Sequence, residues 1–359
     1  MTSETPENPS WLLYGANGYT GRLIAAAATR EGLRPVLSGR NRSAIEEMGR
    51  ELNLPSKPAD LDSPADLRAA VRGHRLVLHC AGPFARTSAA MLDACLAEGA
   101  HYADITGEID VFASCHARSD EASGRSLCVI PGSGFDVVPT DCVAATLKSR
   151  LPAATSLTLA FEAGGGPSVG TARTGAAGLA KGGRVRRGGK LVTVPLAWKS
   201  RTFVRDGTPR SAMTIPWGDV YTAFVSTGIP DIEVYMCVPP RAIQNTRRLN
   251  LVRPLLGLGL FARLLERRVA ASVHPPSPEK RASTNARIWG EAVTASGERA
   301  LLEIETPNGY DLTVTAALGI VKRLLREPRP TQTGFLTPSQ LMGASYVFGL
   351  PGVREIQAS

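Results

Sequence analysis

The stretch LLYGANGYTGRL, residues 12–23, places Gly15, Gly18 and Gly21 between a short apolar run and a segment rich in Ala and Leu. A strand, a tight turn and a helix in that order constrain a fold more than composition does. Gly15 permits the sharp turn, Gly18 lets the backbone approach a pyrophosphate, and Gly21 lets the helix pack closely on the strand. The helix N-terminus adds unpaired amide hydrogens and a favourable dipole for phosphate. Three spaced glycines also occur in ordinary tight loops. The setting, after a strand and before a helix, points to a dinucleotide, with Asn17, Tyr19 and Thr20 completing the expected contacts.

The residues that follow repeat the alternation. After the strand Trp11–Tyr14, helices are expected over Tyr19–Arg30, over Ser43–Leu52 with a capping box from Ser43 and Glu46, from Ser63-Pro64 onward, over Ser88–Glu98, and through 111–122. Between them, Pro35–Ser38, RLVLHCAG, HYADI and LCVIPG read as strands. This alternation calls for a parallel sheet covered on both faces, so the fold class is α/β, a Rossmann-type doubly wound sheet. The second strand runs into SGRNRS. Where a carboxylate on the ribose hydroxyls would mark NAD, this chain sets Ser38, Arg40, Asn41 and Arg42. A guanidinium matches a 2′-phosphate in shape and charge, whereas a carboxylate would repel it. Arginines capping a solvated loop would look the same, but the context favours NADPH/NADP.

Four further stretches stand apart from generic sequence of this kind: AGPFARTSAAMLDACLAEGAHYADITGE (81–108), PGSGFDVVPTD (131–141), IPWGDVYTAFVSTGIPDIEVY (215–235) and TGFLTPSQLMG (333–343). With GANGYTGR they closely resemble the saccharopine dehydrogenase-like oxidoreductases, and within them the short bacterial branch that includes trans-acting enoyl reductases. The resemblance implies a two-domain reductase using NADPH. Its nucleotide-binding domain would comprise 1–146 and 332–359, the last segment returning to the first domain. An α+β substrate and dimerisation domain, 147–331, would be inserted between them. Phe84 is followed by ARTS, where members of that family often carry a Tyr and a Gly. The departure falls beside the expected nicotinamide position and bears on which reaction is run.

Ligands of such sheets bind at the carboxyl ends of the strands. RLVLHCAG delivers Cys80, Ala81, Gly82, Pro83 and Phe84, small residues with a Pro and an aromatic that suit a flat nicotinamide ring. HYADI delivers Tyr102, Asp104, Thr106 and Glu108, with Tyr102 the candidate proton donor. Asp104 and Thr106 would equally serve as helix caps. In PGSGFDVVPTD, Gly132 and Gly134 would turn amides toward the nicotinamide edge with Phe135 beside them. Asp136 is either an N-cap or an acid over the substrate. The histidines have no metal-ligand spacing and the six cysteines no CxxC, so neither a metal nor a disulfide framework is expected.

The net charge of +9 is unevenly placed: residues 1–150 hold 15 Lys/Arg against 18 Asp/Glu, and the remainder 26 against 14. No aromatics interleave with the excess, so an anionic small ligand or surface fits better than nucleic acid. The hairpin GRVRRGGKLVTV, turning at Gly188-Gly189, clusters Arg184, Arg186, Arg187 and Lys190. It either meets an acyl-carrier or coenzyme phosphate or blunts an edge strand. The apolar run within LVRPLLGLGLFARLL, part of an arm over 251–268, falls short of the ~20 residues a bilayer span needs. The arm reads as a membrane-surface contact, a lid, a dimer contact or a packing helix. A polar, acidic start carries no secretory or transit signal, which makes the cytoplasm the default. The expectation is therefore an NADPH-dependent reductase of an apolar, acyl-type enoyl substrate, such as an acyl thioester, acting as a homodimer. The alternatives are a saccharopine-type C–N oxidoreductase using Arg173 and the basic hairpin, a non-catalytic NADP-binding regulator, and a membrane-surface adaptor.

Overall fold

The computed structural model describes residues 10–164, 175, 178–256, 276–327 and 330–356. The opening apolar run forms β1 (Trp11–Tyr14), buried along its whole length. Then come α1 (Tyr19–Arg30), β2 (Val36–Ser38), α2 (Arg42–Leu52), α3 (Pro64–Val71), β3 (Leu76–His79), α4 (Phe84–Glu98), β4 (His101–Asp104), α5 (Ile109–His116), α6 (Ser119–Gly124), β5 (Cys128–Ile130) and α7 (Val138–Arg150). The next part holds β6 (Ala154–Glu162), β7 (Gly183–Arg187), β8 (Lys190–Val194), β9 (Ser200–Arg205), β10 (Thr208–Thr214), α8 (Asp219–Thr227), β11 (Asp231–Cys237) and α9 (Pro240–Leu256). It continues with α10 (Pro278–Ala282), β12 (Asn285–Thr294), β13 (Arg299–Pro307) and α11 (Gly309–Arg326), and the chain closes with β14 (Gly334–Phe335), α12 (Pro338–Met342) and β15 (Arg354–Ile356).

Local chemistry moves several expected boundaries. The N-cap of α2 is Asn41, not Ser43: its Oδ1 accepts the Ala44 amide at 3.1 Å and the Ser43 hydroxyl at 2.9 Å. Ser63 caps α3 ahead of Pro64, as its sequence suggests. The single helix expected through 111–122 is two, α5 and α6. Helix α4 starts at Phe84 rather than Ser88 because a distant carboxylate, Glu108, accepts the Phe84 and Ala85 amides at 2.8 and 3.0 Å.

Among the described residues the strands form two sheets. The first has the order β14-β5-β4-β3-β1-β2 with every pairing parallel. Side chains of α3, α4 and α5 cover one face. On the other face α1, α2, α7 and α11 share a single apolar cluster with the inner side of the second sheet. Strand order reverses between β1 and β3, which sets the crevice of a doubly wound sheet above the ends of those two strands.

The second sheet is mixed, ordered β15-β13-β12-β6-β11-β10-β9, with the hairpin β7–β8 added beside β11. Helix α7 lies between the sheets. Val143 and Leu147 press so closely on Gly290 of β12 that a Cβ there would stand 2.4 and 2.7 Å from them. Asp141 of α7, enclosed, accepts the Ser226 hydroxyl at 2.7 Å and the Ser339 amide at 2.8 Å, joining α7, α8 and α12.

The C-terminal segment does return to the first sheet as β14, but β15 pairs with β13 in the second. Helix α11, which the sequence places with the second domain, runs along α1 and is bridged to it by Lys322 and Glu31 at 2.6 Å.

The basic hairpin turns at Gly188 and Gly189, both with positive φ, and is a brace. Arg186 is buried, donates to the Val220 and Gly189 carbonyls at 2.9 and 2.6 Å, and stands 4.0 Å from the Phe224 ring centroid. Arg187 pairs with Glu233, while Arg184 and Lys181 reach Asp110 on α5. Of the arm over 251–268, residues 257–268 lie outside the described residues, as does Arg173. No described helix is long and apolar enough to cross a membrane.

Candidate active site

The glycine turn is built as a cradle. Gly15, at φ +78°, sits so near the β3–α4 turn that a Cβ would lie 2.8 Å from the Ala81 nitrogen. At Gly21 a Cβ would come within 2.3 Å of the Gly15 carbonyl oxygen. The turn hangs on β2, whose Ser38 carbonyl accepts the Gly15 and Ala16 amides at 2.9 and 3.1 Å. Gly18 is the N-cap of α1 and no side chain caps that end, so the first-turn amides keep their capacity for phosphate oxygens. Asn17 sets its Oδ1 against Gly39, and Thr20 is half-buried at the helix start.

Beyond β2 lies a cleft of about 240 Å³ lined by Arg40, Arg42, Lys57 and Asp60 among others. Arg40 and Arg42 are exposed here, as a 2′-phosphate site requires. Ser38 and Asn41 act differently from expectation. The Ser38 side chain is buried and donates to the Lys57 carbonyl at 2.7 Å, and Asn41 spends its oxygen capping α2. Both shape the loop that presents Arg40. Lys57 was not singled out from the sequence, since nothing local marks a lone lysine as returning to β2.

At the other end of the crevice the turn 80–83 follows β3. Ala81 and Pro83 are half-buried and Gly82 exposed, which leaves small residues at the rim. The Phe84 ring turns inward and meets the His79 ring edge-on at 5.3 Å, so the aromatic wall expected there is absent. His79 bonds the Thr87 hydroxyl at 2.9 Å, and burial holds its imidazole neutral, with its pKa down at about 3. Tyr102 is also enclosed. Its hydroxyl donates to Asp104 Oδ2 at 2.6 Å, and burial, then the Asp104 carboxyl, hold the phenol well above its ordinary range. That placement contradicts the expected role of Tyr102 as a donor to substrate.

Asp104 itself is a clamp. Its Oδ1 accepts the Thr106 and Gly132 amides, each at 2.9 Å, while burial raises its pKa to about 6. The Gly132 amide is therefore taken and does not face a nicotinamide. Gly134 and Phe135 are likewise buried against α11: a Cβ on Gly134 would lie 2.9 Å from Thr313 Cγ2, and the Phe135 amide donates to Thr313 Oγ1 at 3.0 Å. They hold the loop rather than line the crevice.

Asp136 is the residue this loop presents. It precedes α7, whose N-cap is Val137, so it is not the cap. The residue is half-buried, with its carboxyl against Gly107, where a Cβ would stand 3.0 Å from Oδ2. Burial first, and the Glu108 carboxylate second, push its pKa up to about 7. Trp217, just before α8, donates its indole N–H to the Asp136 carbonyl at 2.7 Å and packs on Phe161 at 4.9 Å between ring centroids. Glu108 and Trp217 thus join Asp136 to the 80–84 turn on one side and to an aromatic surface on the other. Trp217 lay unassigned within IPWGD, whose Trp-Gly-Asp run before a helix was the available signal.

These features fit a dinucleotide with a 2′-phosphate: a cradle that Cβ atoms would fill, uncapped amides at α1, and guanidinium groups beyond β2. Comparison with known proteins agrees. Residues 11–126 match the family described as saccharopine dehydrogenase NADP binding domain. Residues 11–126 thus carry the pattern of a saccharopine dehydrogenase NADP-binding domain. Its cofactor is accordingly NADP(H).

A trans-acting enoyl reductase of Mycobacterium leprae is 32% identical over 139 residues, covering 36% of this chain and 33% of that protein. A saccharopine dehydrogenase-like oxidoreductase of Mus musculus is 28% identical over 158 residues, covering 38% and 37%. The match thus spans little more than a third of these relatives. The saccharopine dehydrogenase (L-Glu forming) of Saccharomyces cerevisiae superposes with a TM-score of 0.64 over 97% of this chain and all of that one. At 9% identity that likeness shows a shared fold. Among the described residues no cluster of His, Cys, Asp or Glu could hold a metal ion, and all six cysteines are free.

Proposed function

We propose that this saccharopine dehydrogenase-type chain is an NADPH-dependent reductase of an apolar, acyl-type enoyl substrate, with Asp136 as proton donor. The observation that carries the reading is Asp136, half-buried at the strand ends, with a pKa near 7 and an aromatic neighbour in Trp217. NADPH, when bound, supplies a hydride. The chain must supply the proton that completes reduction of a C=C bond. An acid whose pKa lies near the working pH does so efficiently, since it is substantially protonated and still a competent donor.

Trp217, half-buried and packed on the core ring of Phe161, offers apolar surface beside Asp136, which suits an acyl chain better than a substrate bearing several carboxylates. Glu108 fixes the start of α4 and with it the small-residue turn at the crevice rim. Tyr102 and Asp104 act beneath the site, holding the 131–137 loop that carries Asp136. The relative named trans-acting enoyl reductase supports the enoyl class.

The test is NADPH consumption with a panel of enoyl thioesters and, in parallel, imino acids. Turnover of the thioesters is expected, falling as pH rises through about 7. Asp136→Asn should lower kcat by about 10²-fold or more while leaving NADPH affinity unchanged. Turnover of imino acids alone would overturn the substrate class, and tight NADPH binding without turnover of either would favour the regulator.

A further inference from the structure

The start of α1, where the family's cofactor places its pyrophosphate, is flanked by residues from the second domain. Tyr19, the first residue of α1, donates its hydroxyl to the Pro276 carbonyl at 2.8 Å and meets the Tyr310 ring edge-on at 5.0 Å. Arg281 of α10 stands over the same ring, its guanidinium carbon 5.9 Å from the centroid. That guanidinium is poorly satisfied. Its Nε is enclosed with no hydrogen-bond partner, and its ion pair with Asp311 is long, at 3.6 Å.

The position is fixed from behind. Asn308, the N-cap of α11, donates to the Arg281 carbonyl at 3.0 Å, and the Arg281 amide donates to the Ser277 carbonyl at 3.0 Å. A part-buried guanidinium with spare donors gains free energy when an anion completes its shell.

We propose that Arg281 is a pyrophosphate-binding residue contributed by the second domain to the glycine cradle at the start of α1. The inference rests on the cofactor reading above. A planar guanidinium beside uncapped helix amides gives two kinds of donor to one diphosphate: amides from α1 and a charged fork from α10. Cofactor binding then joins the two parts of the chain through α10, with Tyr19 packed between them. Because the pyrophosphate is common to both nicotinamide dinucleotides, Arg281 serves NADPH and NADH alike, unlike Arg40.

The test is calorimetric titration of NADPH and NADH into the wild-type chain, Arg281→Ala and Arg281→Lys, with hydrogen exchange of the 276–284 peptide. Arg281→Ala should weaken both dinucleotides by the same factor, about tenfold to a hundredfold, and Arg281→Lys by less. In the wild type, NADPH should slow exchange across 276–284, a readout that stands even if a variant folds poorly. Unchanged affinity in Arg281→Ala, a loss confined to NADPH, or no change in exchange would overturn the proposal. A wild-type chain that binds neither dinucleotide would instead overturn the cofactor reading beneath it.

Discussion

Asp136 and Tyr102 are both titratable residues at strand ends, yet the fold treats them oppositely. Tyr102 lies under the sheet edge, bound to Asp104, whereas Asp136 is a half-buried residue whose carboxyl lies against Gly107. The raised pKa of Asp136 also bears on stability. Its folded value is about 7 against 3.8 for a free aspartate, so between those pH values the folded chain binds more protons than the unfolded one. Stability from this group is therefore present at acid pH, declines as pH rises from about 4, and is lost above about 7.

Asp136→Asn removes that dependence. The variant should melt with the wild type near pH 4 and a few degrees above it at pH 8, a gain of about 1 kcal/mol or more. Scanning calorimetry at the two pH values checks this; identical melting at pH 8 would show that the carboxyl is not held against its charge. From sequence alone Tyr102 and Asp136 were both candidate acids. What separates them is burial, set by the non-local pairing of β4 with β3 and β5, which no local pattern records.

Individual elements were legible where their own residues write the signal. The Gly99 stop of α4, the Ser63-Pro64 start of α3 and the Gly188-Gly189 turn all stand where the residue types put them. The starts of α2 and α4 were misplaced because Asn41 outcompetes Ser43 for the cap and because Glu108 caps α4 from 24 residues away.

The glycine cradle gives a sharp test at this scale. A Cβ on Gly21 would meet the Gly15 carbonyl at 2.3 Å and the Ala16 Cα at 2.9 Å, both backbone and unable to yield cheaply. Gly32, at φ +75°, has no neighbour within 4 Å of such a Cβ. Gly32→Ala should cost about 1–2 kcal/mol of stability and leave NADPH affinity intact. Gly21→Ala should abolish NADPH binding, with a stability loss of about 1–3 kcal/mol or more from overpacking. Thermal melts with dinucleotide titration of both variants separate the effects. A Gly21→Ala protein that binds NADPH normally would show that the turn does not need that close approach.

For the molecule as a whole, the alternation of strands and helices made the first sheet readable down to its parallel pairing. Hydrophobic runs bounded by turn residues carry that information locally. The second sheet was less legible. Its strands are joined across long intervals: β6 pairs with β11 on one side and β12 on the other, and α7 packs beneath them. The exchange of elements between the two parts, with α11 lying on α1 and β15 crossing to β13, is likewise a property of the assembled core. The site inherits this division: the cradle and Arg40 were visible in one continuous stretch, whereas Trp217 and Arg281 come to it from across the fold.

We propose that the crevice above β1 and β3 holds NADPH, with Arg40 reading its 2′-phosphate. Calorimetric titration of NADPH and NADH into the wild-type chain and Arg40→Asp tests it most directly. The wild type should bind NADPH tightly and NADH weakly, and Arg40→Asp should lose NADPH affinity while leaving NADH nearly unchanged. Equal affinity of the wild type for both dinucleotides, or equal loss of both in Arg40→Asp, would contradict it.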